Sequence, residues 1–70
     1  MSTESRVEAM QADTTLQSAA TPALFLNGVL TATGITLTTG QKNLALTTMT
    51  RDEMMRKFAA QANAGIATFP

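Results

Sequence analysis

Apolar residues recur along this chain at spacings of three and four. From Leu26 the pattern runs through Leu30, Thr33, Leu37, Gly40 and Leu44, a heptad-like seam with small residues at two positions. It continues through Thr48, Arg51, Met55, Phe58, Ala62, Gly65 and Phe69 if one stutter is allowed between Gly40 and Thr48. Arg51 suits an apolar seam poorly, so continuity is expected to break there. The spacing predicts helices over about residues 5–20, 22–47 and 51–67.

Start signals punctuate the pattern. Ser5 and Glu8 form an S-x-x-E capping box, ahead of a thin stripe of Val7, Ala9 and Met10 with Leu16 further on. Thr21-Pro22 places a capping hydroxyl before a proline at the first helical position, where a missing N–H costs nothing. Thr50-x-x-Glu53 is a second box; within its helix Asp52 pairs with Arg56 and Glu53 with Lys57 at the favourable spacing. Gly65 is a plausible stop.

Residues 30–48, "LTATGITLTTGQKNLALTT", conflict with this reading. Seven threonines and two glycines favour extended structure, and "ITLT" alternates as a strand does. Strands broken at Gly34 and Gly40 would make a threonine-rich β meander between two helices. In a helix each glycine costs about 1 kcal/mol relative to alanine. Threonine, however, can fold its hydroxyl back onto the carbonyl one turn earlier. Propensity favours the meander, and the seam favours helix. Pattern alone leaves helix and strand both open over this stretch.

Composition points toward association. Seventy residues make one domain, here residues 1–70 as a single polymerising subunit. A core that small supplies only about 3–5 kcal/mol unless it is stapled. The chain has no cysteine for a disulfide or thiolate site and no histidine. A lone copy is therefore expected to be marginal. Net charge is zero, with five basic and five acidic residues, so little self-repulsion opposes self-association. The scattered basic residues exclude an electrostatic footprint for nucleic acid. The first twenty residues lack the positive and apolar regions of a signal peptide, and "PALFLNGVL" is too short to span a bilayer. Residence in the cytoplasm is the expectation.

Candidate chemistry is thin. Asp52 and Glu53 are adjacent and point in different directions on a helix, which does not suit a convergent acid–base pair. No histidine can activate a serine or threonine, and neither Lys42 nor Lys57 lies at a recognisable spacing from one. Gly28, Gly34 and Gly40 fit no phosphate loop. "RDEMMRKF" balances its charges and reads as a face packed on a neighbour rather than a membrane-binding stripe. The expectation is a non-enzymatic chain with no cofactor and no metal.

Several elements resemble the R-body (refractile body) structural proteins, the RebB-like "killing trait" family. They are Pro22-Ala23 followed by apolar Leu24 to Leu26, Ala32-Thr33 ten residues on, and Gly65-Ile66-Ala67-Thr68-Phe69. The polar run "QADTTL" lies upstream, so the likeness spans roughly residues 11–69. The threonine- and leucine-rich middle and the charged "TRDEMMRKF" depart from the family's Ala/Asn/Gln-rich pattern. The resemblance implies helix over meander, hence an all-α fold with two or three helices in an extended, hairpin-like subunit that polymerises, with itself and paralogous subunits, into a coiled ribbon inside the bacterial cell. Some such ribbons unroll at low pH into tubes that rupture membranes.

On that reading Leu26, Leu30, Leu37, Leu44, Met55, Phe58 and Phe69 are the expected subunit-packing residues. Carboxylates are the only acid sensors available, with ordinary values near 4. Asp13, Asp52 and Glu53 are the candidates if a subunit contact buries them. The alternatives are a small virion or secretion-apparatus component on a larger ring, and a membrane-active peptide toxin.

Overall fold

The computed structural model describes residues 1–66, and Phe69 lies outside them. Five helices follow one another: α1 (Thr3–Ala12), α2 (Thr14–Gln17), α3 (Pro22–Thr33), α4 (Thr39–Thr48) and α5 (Arg51–Asn63). Among these residues the all-α class holds and the threonine-rich meander does not form. The helices are shorter and more numerous than the spacing predicts, and local chemistry explains each division.

The first expected helix is divided by Asp13. Its carboxylate accepts a hydrogen bond from the Leu16 N–H at 3.1 Å and starts α2, while its own N–H closes α1 on the Met10 carbonyl at 3.2 Å. The cap of α1 is Ser2 rather than Ser5: the Ser5 N–H donates to Ser2 Oγ at 3.0 Å. Thr21 and Pro22 act as expected, with Thr21 Oγ1 accepting from the Leu24 N–H at 3.2 Å.

The second expected helix breaks at Gly34, whose φ of 74° is left-handed. The Leu30 carbonyl accepts from the N–H groups of both Gly34 and Ile35, at 2.8 and 3.1 Å. Residues 35–37 then alternate, Ile35 and Leu37 buried and Thr36 exposed. That is the period of a strand, inside a connector only five residues long (34–38). Thr38 restarts the helix through a reciprocal box with Gln41: the Gln41 N–H reaches Thr38 Oγ1 at 3.2 Å, and the Thr38 N–H reaches Gln41 Oε1 at 2.8 Å. The threonine-rich stretch is thus two helices joined by an extended link. Its threonines behave as helical threonines do: Thr33 and Thr48 donate to the carbonyls of Val29 and Leu44 at 2.8 and 2.7 Å.

The box predicted at Thr50 and Glu53 starts α5, with bonds of 3.0 and 3.2 Å. Gly65, at φ 76°, follows its end.

The helices enclose one cluster. Val7 and Met10 from α1, Leu16 from α2, and Phe25, Leu26, Val29 and Leu30 from α3 meet Met54, Met55, Phe58 and Ala59 from α5. Ile35, Leu37 and Ala45 close it on the α4 side. α5 is the hub, packing on both α1 and α3, while α4 packs on α3. The radius of gyration is 11.0 Å, against about 11 Å for a compact domain of this length. The extended hairpin expected from an unbroken second helix is therefore replaced by a compact tile of 29 × 28 × 17 Å. The reason is the left-handed turn at Gly34, which ends α3 and lets the chain cover its own core.

Candidate interaction surface

The seven expected subunit-packing residues divide sharply. Leu26, Leu30, Leu37, Met55 and Phe58 are between 0 and 7% exposed and lie inside the chain's own core. These five seam positions face the chain's own interior, whereas Gly40 and Thr48 on the same seam are exposed. Leu44 is 58% exposed and remains available to a neighbour. Leu24, outside the expected set, is 56% exposed. It precedes the apolar pair Phe25-Leu26, so the surface signal in "ALFL" was present but hidden by uniform hydrophobicity.

Charge is segregated by element. α1 carries Glu4, Arg6 and Glu8, and α5 carries Arg51, Asp52, Glu53, Arg56 and Lys57. α2 and α3 carry none, and α4 carries only Lys42. The α1–α5 side is knitted by polar contacts. Asn63 accepts from Arg6 Nε at 2.6 Å and donates to Thr3 Oγ1 at 3.0 Å, joining the two ends of the described chain. Arg56 donates to Asp52 at 3.0 Å and lies 3.8 Å from Glu4. The hydrogen bond and charge of Asp52, then the charge of Glu4, hold the Arg56 guanidinium above its ordinary value.

A groove between α2 and α3 is lined by Leu16, Ala19, Leu24, Gly28 and Ala32, with Asp13 as its one charged residue. Gly28 forms its floor. A Cβ there would lie 2.5 Å from Leu16 Cδ1, so the missing side chain is what seats α2 on α3. A second cleft opens beside the α3–α4 connector, lined by Asn27, Thr31, Gly34, Thr36 and Lys42.

The three candidate acid sensors do not converge. Asp13 caps α2, Asp52 pairs with Arg56, and Glu53 completes the α5 capping box. All three are exposed, so the burial that acid sensing would need has to come from another molecule. Among the described residues no group of three or more acids forms a possible metal site, and no helix is long and apolar enough to cross a membrane.

No protein-family model, curated protein or solved structure matches this chain.

Proposed function

We propose that this chain is a non-catalytic structural subunit that self-assembles, alone or with paralogous chains, into a coiled R-body-like ribbon in the bacterial cytoplasm. One observation carries the reading: Leu24 on α3 and Leu44 on α4 are each more than half exposed, on helices whose one charged residue is Lys42. Exposed leucines on a weakly charged face favour association, because burying them against a neighbour removes apolar area from water and desolvates few charges. A flat subunit, 17 Å in its short dimension, suits a laminar polymer. The resemblance of the Pro22-Ala23 and Gly65–Phe69 segments to R-body proteins points the same way.

The closed core alters how assembly proceeds. Subunits fold first and associate through their surfaces, rather than completing one another's interiors. Membrane rupture would follow from extension of the ribbon, since the described helices are too short to cross a bilayer.

Electron microscopy of the chain expressed alone and with candidate paralogous chains tests this function. Ribbons or coils support it. Soluble monomers under all these conditions, up to several hundred micromolar, overturn it.

A further inference from the structure

We infer that the cleft around Lys42 receives Glu8 of a second copy of this chain, making a head-to-tail contact that repeats along a polymer. The inference rests on the self-assembly proposed above and names the residues that propagate it.

Two charges stand apart from the others. Arg6, Arg51 and Arg56 each have a partner within the chain, and Lys57 takes part in an interaction as well. Asp13, Asp52 and Glu53 cap helices or pair, and Glu4 faces Arg56. Among the described residues, the side chains of Lys42 and Glu8 make no ion pair or hydrogen bond. One is a cation and the other an anion, so a second copy supplies what each lacks.

Their settings are complementary. Lys42 is half-buried at the edge of the cleft, where Asn27 and Thr36 add exposed polar side chains suited to a carboxylate. Glu8 projects from the exposed face of α1, with the small Ser5, Ala9 and Ala12 beside it and the exposed Glu4 and Gln11 one turn away on either side. Within one chain the two are held on different supports: α1 packs on α2 and α5, while α4 packs on α3. A contact between two different patches is heterologous, and one whose rotation does not close generates an open filament. Every added copy brings one cation and one anion to the contact, so growth accumulates no net charge.

The test is a charge swap in the full chain. Lys42→Glu and Glu8→Lys, each alone, are expected to raise the critical concentration for assembly about tenfold or more, and the double variant to restore it to near the parent value. Light scattering and electron microscopy read the assembly, and circular dichroism verifies that each variant is helical. The neutral variants Lys42→Gln and Glu8→Gln serve if a reversal does not fold, with a smaller rise expected from each. If the parent chain forms ribbons while Lys42→Glu and Lys42→Gln assemble unchanged, this contact is wrong and the proposed function stands. Lack of rescue in a folded double variant, or a discrete dimer in place of a filament, also overturns the contact. A parent chain that stays monomeric both alone and with the candidate paralogous chains overturns both.

Discussion

The guanidinium of Arg51 lies 4.9 Å from the centre of the Phe25 ring, and its Nη1 donates to the Ala19 carbonyl at 3.1 Å. One side chain at the start of α5 thus reaches the α2–α3 loop and covers a ring that is itself fully buried. This position breaks the apolar seam in sequence, yet in space it closes the core. The charged head satisfies a loop carbonyl and sits over the aromatic ring as a cation–π contact.

Removing that contact should loosen the α2–α3 corner. Arg51→Ala is expected to lower stability by about 1–2 kcal/mol, combining a lost cation–π contact and a lost charged hydrogen bond. Arg51→Lys should recover only part, since an ammonium lacks the planar fork. Urea denaturation followed by circular dichroism measures both; equal stability of Arg51→Ala and the parent would show the contact to be idle.

Gly34 and Gly40 should respond to alanine in opposite directions. Gly34 has φ 74°, so alanine there is expected to cost about 1 kcal/mol even though its surroundings are open. Gly40 lies in the first turn of α4 with nothing near its missing Cβ, so alanine should stabilise by about 0.5–1 kcal/mol. Thermal melts of the two variants settle the sign. A stabilising Gly34→Ala would mean the helix can run through this point.

Thr38 carries the restart of the chain after that break. Thr38→Ala removes the hydroxyl half of a reciprocal capping box and is expected to cost about 1 kcal/mol. Hydrogen exchange should show faster opening confined to the amides of α4, the helix that packs on α3 alone among its principal contacts. Uniform acceleration across α1 and α5 would argue that α4 does not open separately.

Core and surface leucine-type positions should separate cleanly. Phe58→Ala is expected to cost about 3–5 kcal/mol, enough to unfold a domain this small, because the ring is wholly buried at the hub helix. Leu24→Ser and Leu44→Ser should shift stability by no more than about 0.5 kcal/mol each. Both should nevertheless reduce assembly measured by light scattering. If both serine variants assemble like the parent, the exposed leucines are not the contact surface.

The positions that start helices were legible without the fold. Thr21-Pro22 and Thr50-x-x-Glu53 act through bonds between residues three apart, and such chemistry depends on little beyond the local backbone. The seam was legible as well: Leu26, Leu30, Leu37, Met55 and Phe58 all face an apolar interior. Its owner was not. Periodicity records that a face must be buried, and it is silent on whether the same chain or another one buries it.

That choice was made by the tertiary structure, at the turn around Gly34. Glycine in this stretch is compatible with a helix, a strand end or a left-handed cap, and only packing of α3 and α5 around Phe25 and Phe58 selects the cap. The exposed pair Leu24 and Leu44 emerged in the same way. Leu24 lies between Ala23 and Phe25 and Leu44 two residues before Leu46, so which of the leucines turn inward depends on where the remote helices lie. Sequence alone therefore determined the helix starts and the apolar periodicity, because both are local. Folding decided which apolar residues are left for a neighbour, because that depends on contacts between segments tens of residues apart.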